Sequence, residues 1–234
     1  MIHYNYSQTQ LEEKAENLLK QFDEERLKKT KPIDVYEVIE KCLNVPYDWK
    51  YLTPDQSVLG ATAFSGGILW VWPESKYYDG LMPYQIEVAP GTILIDAYLT
   101  EQNNRGRENF TVMHEVFHQV LHKKCFKGES PNYVHTTTSK TLNGNTYLRY
   151  ESYALFTIEK QANACAAAFL MPAELTRKRY IEKYEKAIIR RHSSHFKYEI
   201  IKELAEEFSV SQQAMSIRLQ VLGLIDKDKE NIYK

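Results

Sequence analysis

Neither sign of charge is in excess along this chain: 30 Lys and Arg stand against 31 Asp and Glu over 234 residues, a formal net charge of −1. No bulk attraction to nucleic acid or to an anionic membrane follows from that balance. Cysteine is scarce too. Cys42, Cys125 and Cys165 are odd in number, widely spaced and free of any Cys-x-x-Cys pattern, which argues against a disulfide framework and fits a reducing cytosol. No apolar run approaches the ~18 residues needed to cross a bilayer, and the N-terminus carries no hydrophobic signal core. The expectation is a soluble, cytoplasmic protein without a membrane partner, long enough for one compact domain and a smaller appendage.

Against these absences, one stretch is dense in chemistry. Asn109-Phe-Thr-Val-Met-His-Glu-Val-Phe-His-Gln-Val-Leu-His122 holds His114-Glu115-Val116-Phe117-His118, the HExxH pattern of zinc peptidases. Phe110, Met113, Phe117 and Val120 recur at spacings of three and four, which predicts a helix with one apolar stripe. On that helix His114 and His118 stand one above the other, so both imidazoles reach one metal ion. Glu115 leaves the adjacent edge, placed to act on water rather than on the metal.

Such a site needs a third protein ligand. His122 is the nearest candidate, but positions i, i+4 and i+8 drift by about 40° per step, so it points away from the shared ion. No glycine follows in Gln119-Val-Leu-His-Lys-Lys124, which excludes a third histidine reached after a turn. The other candidate is Glu159, in Ile158-Glu-Lys-Gln-Ala-Asn-Ala-Cys-Ala-Ala-Ala-Phe-Leu-Met-Pro172, where Glu159 and Asn163 share a face among small residues that let another helix approach. The residues alone leave Glu159 open between a ligand and a solvated helix carboxylate.

Arg105-Gly-Arg-Glu-Asn-Phe-Thr111 before the HExxH, Glu159-Lys-Gln-Ala-Asn163 and Phe169-Leu-Met-Pro172 together resemble the ImmA/IrrE family of zinc metallopeptidases. Gly91-Thr-Ile-Leu-Ile-Asp96 resembles the strand leading to that family's zinc helix, and the similarity spans roughly residues 33 to 222. The resemblance implies that His114, His118 and Glu159 hold one zinc ion per chain and that Glu115 is the catalytic base. Phe117 departs from the pattern, standing where family members usually carry a small residue.

The remaining chain is read in order. Residues 8–30 predict an amphipathic helix with Leu11, Ala15, Leu18, Leu19 and Phe22 inward, and a second helix after Pro32 stops near Asn44. Segments near 45–52, 59–64, 67–72 and 84–96 are rich in Val, Ile, Tyr and Trp and predict one small twisted sheet, antiparallel or mixed. Trp70 and Trp72 are expected in the core rather than on a binding face. An exposed edge of the sheet offers an extended substrate a place to pair. Residues 125–150 form a polar insertion that could wall the cleft. His135 and Tyr147 within it are read as exposed loop residues before oxyanion stabilisers. From Glu174 to Lys202 nine Lys/Arg stand against four Glu, and Leu204–Leu219 then resembles a helix-turn-helix with Ser211 as N-cap. Gln212, Gln213, Ser216 and Arg218 are expected to face outward. Glu203, Glu206 and Glu207 leave that helix pair without a cationic stripe, so packing against the peptidase or docking a protein substrate outranks reading DNA.

The reading is an α+β, zincin-like peptidase: residues 1–172 as the metallopeptidase domain and 173–234 as a helical, helix-turn-helix-like module. The resemblance implies an endopeptidase whose substrate is a specific protein such as a helix-turn-helix transcriptional repressor of stress or mobile-element genes. The alternatives are a DNA-binding regulator with a structural or vestigial zinc site, and an interaction protein that acts by binding alone.

Overall fold

The computed structural model describes residues 5–74, 80–102, 104–126, 152–189 and 196–226. Helix α1 (Gln8–Asp23) begins at a capping box, in which Ser7 Oγ accepts from the Gln10 main-chain N–H at 3.2 Å and Gln10 Oε1 accepts from Ser7 N at 2.9 Å. It buries Leu11, Ala15, Leu18 and Leu19, as the spacing predicts. Helix α2 (Val35–Val38) is capped by Asp34 and runs into a wide π turn over Ile39–Leu43. Asn44 ends it in the left-handed region, φ 51°.

Among the described residues five strands follow: β1 (Tyr47–Lys50), β2 (Gly60–Thr62), β3 (Gly67–Val71), β4 (Tyr84–Val88) and β5 (Ile93–Asp96). The single sheet expected from sequence divides in two. A mixed sheet has the order β1-β5-β2, with β1 parallel and β2 antiparallel to β5, while β3 and β4 form a separate antiparallel hairpin. The segment 84–96 breaks at Pro90-Gly91, where Gly91 takes φ 86° and lets the chain turn out of the hairpin. One bridge, Tyr51 to Trp72, links the two sheets. The reason for the split lies in β5, whose four residues are all buried. Alternate strand residues face opposite sides. Ile93 and Ile95 thus join the main helical core, while Leu94 joins a second core with Leu52, Val58, Ala61, Ala63, Leu69, Val71 and Val88. The hairpin is the lid of that second core. Trp72 is buried and Trp70 half-buried.

Helices α3 (Tyr98–Glu101), α4 (Arg105–His122), α5 (Ser152–Leu170), α6 (Ala173–Ile189), α7 (Phe196–Phe208) and α8 (Gln212–Val221) complete the fold. The main core takes residues from both sides of Pro172: Val112, Phe117, Cys165 and Phe169 pack in the same cluster as Leu204, Phe208, Met215 and Leu219. The three cysteines are unpaired. Among the described residues no helix is long and apolar enough to cross a membrane.

Helix α8 corrects one expectation. Ser211 caps it as anticipated, accepting from Ala214 N at 3.1 Å, but Ser216 and Arg218 face inward, with Arg218 only 2 % exposed. Its Nε donates to the Met171 carbonyl at 2.9 Å and its two terminal nitrogens grip the Glu12 carboxylate, one at 2.7 Å. A guanidinium enters the interior here because each nitrogen finds an acceptor there. Two cations of the basic stretch are likewise engaged: Arg179 and Lys183 pair with Glu207, and Lys183 with Glu203. The turn between α7 and α8 lies against the start of α4. Asn109 Nδ2 donates to Ser209 O at 2.9 Å, and a Cβ on Gly106 would sit 2.5 Å from the Val210 carbonyl carbon.

Candidate metal centre

The centre is built on two helices. Asn104 caps α4 by accepting from Arg107 N at 3.2 Å. The helix then buries Asn109, Val112, Met113, Val116, Phe117 and Leu121. This stripe is rotated from the one read off the sequence, and Val120 faces out, 43 % exposed. Opposite lies α5, whose Ala162, Cys165, Ala166 and Ala168 are fully buried and keep the helices close. Phe117 is a contact between the two: its ring meets Phe169 edge to face, centroids 6.0 Å apart.

The predicted side chains come together. His114 Nε2 and His118 Nε2 lie 2.8 Å apart, and the Glu159 carboxylate reaches them at 3.1 and 3.4 Å. All three ligand atoms fall within 4.8 Å of one another. Tetrahedral donors on a zinc-sized ion, with bonds of ~2.0–2.1 Å, sit about 3.3 Å from each other. Glu159 Oε1 is buried without a hydrogen bond. An orphaned carboxylate oxygen facing two imidazole nitrogens is a donor set that fits a divalent cation. His118 is fully buried, whereas His114 and Glu159 keep side-chain exposures of 15 and 28 %. The group is therefore reached from one side.

The imidazoles are fixed from behind. His114 Nδ1 meets Asn163 Oδ1 at 3.0 Å, which gives a partner to the residue that shares Glu159's face. His118 Nδ1 meets His122 Nδ1 at 3.0 Å, and His122 Nε2 meets Gln161 Oε1 at 3.0 Å. His122 is turned away from the ligand cluster, as the helix drift predicts. Its contact with His118, and the part of Gln161, were not read from the sequence. Spacing four beyond His118 was the signal for His122, and nothing marked Gln161.

Glu115 is buried on the sheet side. Thr62 Oγ1 donates to its Oε2 at 2.8 Å and lies 3.2 Å from its main-chain carbonyl. A Cβ on Gly60 would come within 2.8 Å of Glu115 Cγ, so β2 presses a glycine against the carboxylate. Neither Gly60 nor Thr62 carries a motif that sequence reading could find. β2 is the terminal strand beside Glu115, and its three residues are buried. His135 and Tyr147 lie outside the described residues.

Burial and the polar neighbours pull against each other across the group, and burial wins at Glu115, His118 and His122. Burial pushes Glu115 up to about 7, against the pull of His114 and of the Thr62 hydroxyl. It drives His118 down to about 3 and His122 to about 4 despite Glu159 and Gln161. For Glu159 burial would raise the value, yet the two imidazoles facing it, His114 and His118, prevail and hold it near 2. His114, where the same two influences compete, ends above its usual value. A neutral His118 beside an ionised carboxylate is the state in which metal ligands must be.

Residues 82–220 match the IrrE N-terminal-like domain of the peptidase M78 family, a span starting at β4 and ending in α8, later than the onset near residue 33 suggested by motifs. No curated protein matches the chain.

Proposed function

The chain belongs to the IrrE N-terminal-like peptidase M78 family, and from that premise we propose that it is a cytoplasmic, zinc-dependent endopeptidase. The observation that carries the reading is the convergence of His114 Nε2, His118 Nε2 and the Glu159 carboxylate beside the buried Glu115. In this reading those three residues hold one zinc ion, whose chemistry when bound is that of a Lewis acid lowering the pKa of water and polarising a peptide carbonyl. Glu115 takes the proton of the attacking water and delivers it to the departing amine nitrogen, so the peptide bond is exchanged for a carboxyl and an amine. A carboxylate pushed up to about 7 is a base that both accepts and returns a proton near neutral pH. The Thr62 hydroxyl keeps one of its oxygens aimed.

The substrate in this reading is a folded transcriptional repressor, and residues 173–234 buttress the catalytic part, 1–172, rather than reading DNA. Two facts favour that over a DNA-binding regulator: Ser216 and Arg218 are buried, and the α7–α8 turn is packed on α4. The test is Glu115→Gln. It keeps the shape and loses the proton acceptor, so it should retain a full metal complement and lose roughly 10²–10⁴-fold in cleavage of the repressor substrate. Activity within a few-fold of wild type would remove Glu115 from the mechanism.

A further inference from the structure

The buried hydrogen-bond chain behind His118 has a direction, and we infer that His122 and Gln161 are positioning residues that set which nitrogen of His118 is free to bind metal. This rests on the metal-centre reading above. Each link leaves one consistent placing of protons. The Gln161 amide oxygen can only accept, so His122 donates to it from Nε2. A neutral imidazole with its proton on Nε2 has a bare Nδ1. That nitrogen accepts from His118 Nδ1, which leaves the His118 lone pair on Nε2, the nitrogen facing Glu159 and His114.

Reversing one amide reverses the chain. Were the Gln161 amide nitrogen turned toward His122, it would donate to Nε2, His122 would donate from Nδ1, and His118 would carry its proton on Nε2. His118 would then offer the ion an N–H instead of a lone pair. The orientation of one glutamine, two hydrogen bonds from the site, thus selects between a competent and an incompetent ligand. His114 receives the same service in one step from Asn163 Oδ1. The difference is exposure: His114 keeps an opening to solvent, whereas His118 is fully buried. Water can supply an acceptor to the first and not to the second, so His118 depends on the chain.

The alternative is that His122 and Gln161 merely fill space between α4 and α5. Two pairs of variants of the full chain separate the two. His122→Phe keeps a ring and removes the acceptor, while His122→Gln restores an acceptor and a donor. Gln161→Leu removes the terminal acceptor, while Gln161→Glu keeps one that, ionised, cannot reverse. The readouts are Co²⁺ titration of the stripped proteins, followed by the d–d absorption of the tetrahedral site, and Zn²⁺ affinity by chelator competition. The melting temperature of the metal-free forms is measured alongside. His122→Phe and Gln161→Leu should weaken metal binding by roughly 10–100-fold, the usual cost of losing such a partner. The Gln and Glu variants should stay within about threefold of wild type, on the same scale. The inference fails if the Phe and Leu variants also bind within that range, or if each rescue partner weakens binding as much as the variant it is paired with. If His122→Phe does not fold, the Gln161 pair decides alone. A wild-type protein that takes up no Co²⁺ or Zn²⁺ would overturn the metal reading itself and the inference with it.

Discussion

Arg218 and the His114–His118–Glu159 group are both polar clusters set between helices, and they are satisfied in opposite ways. Around Arg218 every nitrogen of the guanidinium has an acceptor, from Glu12 or from the Met171 carbonyl. Between α4 and α5 a carboxylate oxygen is left without a hydrogen bond, and two imidazole nitrogens face each other at 2.8 Å. A closed cluster of the first kind is a joint, which ties α8 to α1 and to the end of α5. One of the second kind is a site, because its remaining demand is for a cation. The same distinction separates the half-buried acid of each cluster: Glu12 has its charge met by protein, whereas Glu159 has one oxygen left over.

If that distinction holds, the largest single loss of stability should come from opening the closed cluster. Glu12→Ala strands a guanidinium that is almost wholly buried, and breaking such a pair from one side costs about 3–5 kcal/mol. The Glu12→Leu/Arg218→Met double variant should lose much less than Glu12→Ala, because neither charge remains to be stranded. Urea midpoints of the metal-free proteins measure both. A double variant as unstable as Glu12→Ala would mean that packing, not charge, explains the joint.

Next in size is chelation, which acts on the open cluster alone. Zinc at a thousandfold its dissociation constant stabilises a protein by about 4 kcal/mol through mass action. Removing it should lower the melting temperature of wild type while leaving that of Glu159→Ala almost unmoved. Equal shifts in both proteins would place the third ligand elsewhere.

How much of this was readable beforehand follows from distance along the chain. His114 and His118 are one helical turn apart, so that pair and its helix were visible from local pattern, whereas Glu159 was singled out as the third member of the group only through the family resemblance of its segment. Arg218 was expected outside because its partners lie 206 and 47 residues away, and no periodicity reports on a partner at that range. Thr62 and Gly60 escaped for the same reason: β2 is three residues long and carries no motif. The division into two sheets turned on Gly91 and on which face of β5 the hairpin covers, a matter of tertiary packing. His122 was recognised as no ligand, yet its use as an acceptor required knowing where Gln161 sits.

A smaller effect, with an unusual sign, should mark where the joint touches the site. Replacing an exposed helical glycine by alanine usually stabilises, by about 1 kcal/mol. At Gly106 the added Cβ would meet Val210 and Ser211 main-chain atoms at 2.5 and 2.7 Å, and backbone cannot swing aside as a side-chain tip can. Gly106→Ala should therefore destabilise, by about 1–3 kcal/mol as overpacking does, and thermal melting reads the sign directly. A stabilised variant would detach the α7–α8 turn from α4.

The smallest effect expected is a pH dependence confined to the closed cluster. Burial alone would raise the Glu12 carboxyl, but the hydrogen bond and the charge of Arg218 outweigh it and hold the group below its ordinary value of 4.5. The folded state therefore binds this proton less tightly than the unfolded chain does. Its contribution to stability is complete above the unfolded value and is lost as pH falls through the folded one. The quantity to follow is the gap in urea midpoint between wild type and Glu12→Gln, measured with chelator present so that competition between protons and metal at His114 and His118 does not enter. The gap should stay level from neutral pH to about 5 and narrow as pH falls through the ordinary value of 4.5 and below it. The wild-type carboxylate then takes up a proton and approaches the amide in charge. A gap that narrows already between pH 7 and 6 would assign the dependence to a histidine, and one unchanged down to pH 3 would mean that Arg218 is held by its Met171 contact and by packing without help from the charge on Glu12.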